Sequence, residues 1–134
     1  MQQHIEQGLA EWHRMVAARN MAALPALLHP DVIFRSPFVF TPYHGAAKAH
    51  GILATVMQVF QDFAYHREFV NGESAVLEFT AKVGEFSLKG VDLIRFDGDG
   101  KIAEFEVLVR PASALHALSQ EMAKRLAQLE VRPN

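Results

Sequence analysis

Residues 90–111 read GVDLIRFDGDGKIAEFEVLVRP, and this stretch decides the fold. Two apolar segments flank Asp97-Gly98-Asp99-Gly100, and a glycine-marked turn between such segments is the strongest short-range sign of a β-hairpin. In the second segment Ala103, Phe105, Val107 and Val109 share one face, while Glu104 and Glu106 share the other. One face is therefore core, and the other is wet or paired. In the first segment both phases are largely apolar: Val91, Leu93 and Arg95 against Asp92, Ile94 and Phe96. Asp92 is the misfit. A carboxylate in phase with Ile94 and Phe96 carries a desolvation cost if that face is inside, and so demands an explanation.

Upstream of the hairpin the chain is rich in strands. Residues 64–70, the turn Asn71-Gly72-Glu73, residues 74–83, Gly84 and residues 85–96 alternate runs with turn signals. In residues 74–83 the core face is Leu77, Phe79, Ala81 and Val83, and the wet face is Glu78, Thr80 and Lys82. In residues 64–70 the phase is open. Phe63, Tyr65, Arg67 and Phe69 form one face; Ala64, His66, Glu68 and Val70 form the other.

Helices come first. Ile5, Leu9, Trp12 and Val16 recur at helical spacing over residues 3–19. Residues 21–28 form a short second helix with Pro25 in its first turn, where a missing N–H costs little. His29-Pro30-Asp31 ends it, Val32 opens a β run, and Pro37 stops that run. Residues 36–45, SPFVFTPYHG, are a loop with four large apolar or aromatic groups, expected to pack over an apolar feature such as a pocket mouth. A third helix runs from Ala46 to about Asp62 with an apolar stripe of Ile52, Val56, Val59, Phe60 and Phe63. After Pro111, Ser113 caps a final helix striped by Leu115, Leu118, Met122, Leu126 and Leu129. Helices followed by a run of antiparallel strands mean α+β: a curved sheet wrapped around helices, in a single domain over residues 1–134.

Composition narrows the function classes. The 13 basic and 15 acidic residues are interspersed, with a net charge of −2, which disfavours nucleic acid as a partner. There is no cysteine, hence no disulfide or thiolate chemistry. No apolar run approaches the roughly twenty residues of a membrane span, and residues 1–6 lack the pattern of a signal peptide. The expectation is a cytoplasmic protein without a membrane partner. The seven histidines fall into no metal-ligand spacing, so neither a metal nor another cofactor is expected. Asp97–Gly100 is a turn: Ile102 and Leu108 stand where a calcium loop needs glycine and glutamate.

Four local patterns stand out: Ala17-Ala18-Arg19-Asn20 closing the first helix, Leu27-Leu28-His29-Pro30-Asp31-Val32 leading into Phe34-Arg35-Ser36-Pro37, Gly45 before the third helix, and residues 91–102. Together they resemble the nuclear-transport-factor-2-like superfamily, the cone-shaped α+β barrel, and within it the SnoaL-like and ketosteroid-isomerase-like proteins. The resemblance covers residues 5–110. It implies a cone of curved, mainly antiparallel sheet. The C-terminal helix, residues 113–130, lies outside the match and is expected to pack on a partner or across the sheet edge. Fold does not fix function here, because the superfamily hosts isomerases, dehydratases, cyclases, epoxide hydrolases and binding subunits. By the resemblance, Asp92 matches the ketosteroid isomerase aspartate that an apolar site keeps protonated as an oxyanion-hole donor. The tyrosine that shares the oxyanion hole falls on Met15, and the general-base aspartate on Ser36. Two of three catalytic groups are missing, which argues against steroid isomerase activity.

The candidate site follows. Asp92 is the catalytic candidate; buried, it becomes an acid or base near neutral pH, and the plainer alternative is a carboxylate paired to a structural donor such as Arg67. Trp12, Met15, Phe34, Ser36, Leu53, Tyr65, Arg67, Phe79, Phe105 and Val107 are the candidate lining of a cavity for a small, apolar, ring-like molecule. Tyr43 and His44 are candidates for its mouth. The function expected is acid–base isomerase, cyclase or dehydratase chemistry, against non-catalytic binding or a dimeric interaction module. The resemblance also implies a homodimer through the outer sheet face, with Val91, Leu93 and Leu108 as its apolar part.

Overall fold

The computed structural model describes residues 2–129. The elements are α1 (Gln3–Ala18), α2 (Leu24–Leu27), β1 (Leu28–Arg35), β2 (Tyr43–His44), α3 (Ala46–Val59), β3 (Gln61–Asn71), β4 (Ser74–Val83), β5 (Phe86–Phe96), β6 (Ile102–Arg110) and α4 (Ala112–Leu129). The strands form one curved sheet in the order β2-β1-β6-β5-β4-β3, antiparallel except for the β1–β6 pair. β2 and β3 are edges that do not pair with each other, so the cone is an open sheet completed by helices rather than a closed barrel.

The hairpin docks on α1 through two close approaches. A Cβ on Gly8 would lie 2.6 Å from the Gly100 carbonyl oxygen and from the Phe96 ring, and one on Gly100 would lie 2.7 Å from the His4 carbonyl oxygen. Only a side chain of hydrogen fits at these positions, and Gly100 also takes a positive φ of 77°. The Asp97 carboxylate closes the turn by accepting from the N–H groups of Asp99 at 2.9 Å and Lys101 at 3.0 Å. At its other end α1 stops at Arg19, whose guanidinium donates to the Met57 carbonyl at 2.8 Å. That places a cation at the carboxyl end of α3, whose last turn has no basic residue of its own.

Single-residue shifts of register decide which side chains face the core. Arg95 pairs with Glu104 but Phe96 pairs with Ile102, so Ala103 is an extra residue on β6. Ile102, fully buried, therefore faces inward where strict alternation from Phe105 would place Ala103. β1 starts at Leu28, earlier than Val32, with an irregularity over His29-Pro30-Asp31 that accommodates a proline unable to donate to the ladder. α3 stops at Val59, short of Asp62, because the chain turns extended at Phe60 and Asp62 takes a positive φ of 53°.

The final helix differs most from expectation. It begins at Ala112, with the Leu115 N–H bonded to the Pro111 carbonyl, so Ser113 lies within the first turn and caps nothing. Its buried side chains are Ala114, Leu118 and Met122, whereas Leu129 is exposed. It packs on α3 and on β4–β6, across the concave face of its own sheet rather than its edge. Among the described residues no helix is long and apolar enough to cross a membrane.

Candidate functional site

Asp92 sits in the middle of β5, between Leu77 on β4 and Val107 on β6. Leu88, Gly90, Asp92, Ile94 and Phe96 are all buried, so the strand's even phase faces inward and Asp92 with it. The residue is 5% exposed. The Tyr65 hydroxyl reaches across from β3 and donates to Asp92 Oδ2 at 2.5 Å, while Trp12 Nε1–H of α1 donates to the Tyr65 oxygen at 2.9 Å. The result is a directed chain, Trp12 to Tyr65 to Asp92, spanning the cone from helix to sheet. Among the described residues no cation pairs with Asp92. Burial in apolar surroundings pushes its pKa up from 3.8 to about 7, with the Tyr65 hydrogen bond opposing part of that rise. Burial, together with the neighbouring carboxylate, also holds the Tyr65 phenol well above its ordinary value.

Asp92 lies in the wall of a partly open cavity of about 40 Å³, whose remaining surface is almost wholly apolar. Trp12, Phe34, Ser36, Leu53, Tyr65, Phe105 and Val107 line it with Asp92. Trp12 packs edge-on against Phe105 at 5.1 Å, and Phe105 stacks on Phe34 at 5.8 Å, so these three rings form one wall. Three other candidates lie elsewhere. Met15 is buried in the core but absent from the cavity wall. Phe79 lies over Gly90, where a Cβ would come within 2.5 Å of its ring, and stacks on Phe63 at 5.2 Å. Packing against that bare backbone holds it off the cavity.

Arg67 is the clearest correction. Tyr65 pairs with Phe79, but Glu68 pairs with Leu77, so one extra residue separates them on β3. The shift moves Glu68 to the inner side, where it meets His13 of α1 at 2.6 Å, and turns Arg67 outward. There Arg67 binds the Glu78 carboxylate through Nε at 3.0 Å and Nη2 at 2.5 Å, on the opposite side of the sheet from Asp92. Glu78, read as wet, is accordingly 7% exposed, with Lys89 Nζ adding a contact at 3.5 Å. These cations hold its pKa down at about 2.

The loop after β1 divides its apolar groups. Ser36, Pro37 and Phe38 face the cavity, while Phe40 is fully exposed. Ser36 Oγ accepts from the N–H groups of Phe38 at 3.3 Å and Val39 at 3.4 Å, so it shapes the loop. Tyr43 is buried beside Phe34 in the β1–β2 pair and does not reach the cavity; His44 is exposed. Other lining residues were legible only as generic stripes: Ile52, Val56, Phe60 and Phe63 near α3, and Leu118 and Met122 on α4; Met57 lines the cavity too but stood outside the stripe. Their periodicity announces burial but not what they are buried against. Among the described residues no three His, Asp or Glu side chains converge as a metal site.

The model of the SnoaL-like domain matches residues 9–105, most of the chain. The protein belongs to the SnoaL-like domain family. This SnoaL-like chain is 52% identical to a steroid delta-isomerase of known structure from Pseudomonas aeruginosa, with a TM-score of 0.94 over 98% of each chain. It is 34% identical to an uncharacterized protein with a cystatin-like fold from Silicibacter pomeroyi, with a TM-score of 0.89 over 97% of this chain and 95% of that one. An NTF2-like protein of unknown function from Mesorhizobium loti shares the fold at 18% identity, with a TM-score of 0.72 over 81% of this chain and 92% of that one. No curated protein matches the sequence. The SnoaL-like, NTF2-like fold is thus shown, in a family of isomerases, cyclases and binding proteins.

Proposed function

We propose that this protein is an acid–base isomerase acting on a compact, apolar carbonyl compound, with Asp92 as the group that moves the proton. The observation that carries the reading is Asp92 itself, a carboxyl in the wall of an apolar cavity, held by a phenol and raised to a pKa of about 7. At neutral pH such a group exists in both forms, the condition for an efficient proton shuttle. As carboxylate it takes a proton from the carbon beside the carbonyl, leaving a dienolate. As the acid so formed it returns the proton two carbons along, shifting the double bond into conjugation. Atoms and charge balance without a cofactor. Tyr65 holds Oδ2 and keeps the carboxylate aimed. The name of the Pseudomonas aeruginosa neighbour supports the isomerase class. A steroid is disfavoured, because Met15 and Ser36 replace two catalytic groups and the cavity is about 40 Å³ against the several hundred typical of ligand sites.

The test is conversion of a β,γ-unsaturated cyclohexenone to its conjugated isomer, followed by ultraviolet absorbance, in wild type and Asp92→Asn. Turnover that is unchanged by Asp92→Asn overturns the reading. Met15 and Ser36, standing where two catalytic groups are expected, favour a second reading, a non-catalytic binding protein; saturable binding of the same ketone without conversion selects it. The sequence-based homodimer also stands as a proposal. Its support is the outer face of β5 and β6, where Leu108 is exposed beside half-buried Val91 and Leu93. Leu108→Asp is expected to yield monomers in sedimentation equilibrium, and a wild type already monomeric at high concentration removes the proposal.

A further inference from the structure

The helical wall of the cavity is shared by α3, through Ile52, Leu53, Val56 and Met57, and α4, through Leu118 and Met122. Leu118 and Met122 are each 1% exposed, and both line the cavity that contains Asp92. This helix begins after residue 105, where the family match ends, yet it covers the concave face of the sheet. These two side chains fill space between α3 and the sheet. With them, about 40 Å³ remains, room for no more than a few waters, whereas an apolar space of roughly 150 Å³ accepts a benzene ring. The walls formed by α1 and the sheet are fastened by directional contacts. Trp12 and Tyr65 are hydrogen-bonded, Phe34 and Phe105 are stacked, and the strands are held by ladders. Leu118 and Met122 of α4, like Ile52, Leu53, Val56 and Met57 of α3, are held by apolar packing, and Met is the side chain that most readily changes shape around a ligand.

From this geometry we infer that Leu118 and Met122 are the specificity-determining residues of the site: they occupy the volume of a ligand ring, so a single ring or short chain enters only as they move aside and a larger molecule is shut out. This deepens the acid–base reading by naming the size of the substrate, but its test does not require Asp92 to act.

Trp12 is the single tryptophan of the sequence and lies in the cavity wall, so a heavy-atom aromatic that enters must quench its fluorescence. Bromobenzene and bromonaphthalene serve as the probes, since neither has a group that Asp92 could recognise. Leu118→Ala and Met122→Ala are expected to quench at bromobenzene concentrations at least ten-fold lower than wild type. Bromonaphthalene is expected to quench only the double variant. Should Leu118→Ala fail to fold, Leu118→Val gives the same ordering with a smaller shift. Equal quenching of wild type and variants by bromobenzene, or ready quenching of wild type by bromonaphthalene, overturns the inference. Adding Asp92→Asn to Leu118→Ala leaves the probe affinities unmoved while abolishing turnover, so the size limit and the acid–base reading fail separately.

Discussion

Two buried carboxylates on neighbouring strands have opposite fates. Glu78 on β4 and Asp92 on β5 lie one ladder position apart, since Leu77 pairs with Asp92 and Glu78 with Val91. Glu78 is on the outer face, gripped by Arg67 and Lys89, and its pKa falls to about 2. Asp92 is on the inner face, with a neutral phenol for company, and its pKa rises to about 7. The sheet is one residue thick, so a change of strand phase replaces cations by apolar wall. Burial alone does not mark a functional carboxylate. What separates the two is whether the burial is compensated by charge.

This contrast is open to experiment, and the largest effect is expected at Asp92. Asp92→Asn keeps the shape and the Tyr65 contact but cannot carry a proton. Turnover of the cyclohexenone should fall by about 10²–10⁴-fold, the usual range for a general acid or base, read from initial rates.

Next comes the linkage of Asp92 to stability. Its pKa is raised in the folded state, so the protonated form favours folding. That stabilisation is complete below pH 3.8 and is lost as pH rises toward about 7. The full span is about 4 kcal/mol, because each tenfold change in proton affinity is worth about 1.4 kcal/mol. Urea unfolding across this window should show wild-type stability falling with pH, and Asp92→Asn should remove the slope. A variant that retains it places the titrating group elsewhere.

A smaller effect is expected from Tyr65→Phe. It removes a hydrogen bond to a charged group, worth about 1.5–3 kcal/mol in general, and that bond lowers the Asp92 pKa. The pH–rate profile should therefore shift to higher pH, an outcome that loss of packing alone would not produce.

The smallest effect belongs to the outer pair. With its pKa depressed, Glu78 contributes stability that is present above pH 4.5 and lost as pH falls toward about 2. Arg67→Met should lower the unfolding midpoint modestly at neutral pH, with the difference from wild type closing as the pH is lowered through that window. A variant as different at pH 2 as at pH 7 would mean that packing, rather than the ion pair, holds Arg67.

Much of the architecture was legible because it depends on local patterns. The helical stripe of Ile5, Leu9, Trp12 and Val16, the alternation of β4, and the Asp97–Gly100 turn all give elements close to those observed. The inward phase of Asp92 followed from Ile94 and Phe96 by the two-residue period of a strand. Arg67 was not legible in the same way. The extra residue between Tyr65 and Glu68 leaves no signature in composition, and it inverts everything after it on β3. Ala103 and Ile102 repeat the lesson on β6. The stripe of α4 announced that it is buried, but not that Leu118 and Met122 close the cavity beside Asp92.

The α+β class, the order of elements and the one carboxylate on an apolar strand face were all written in the chain itself, because periodicity and turn chemistry act between near neighbours. Folding in three dimensions was needed to choose Tyr65 rather than Arg67 as the partner of Asp92, and to fill the cone with α4. Both depend on register and on packing between segments far apart in the chain, where a shift of one residue exchanges the two faces of a sheet.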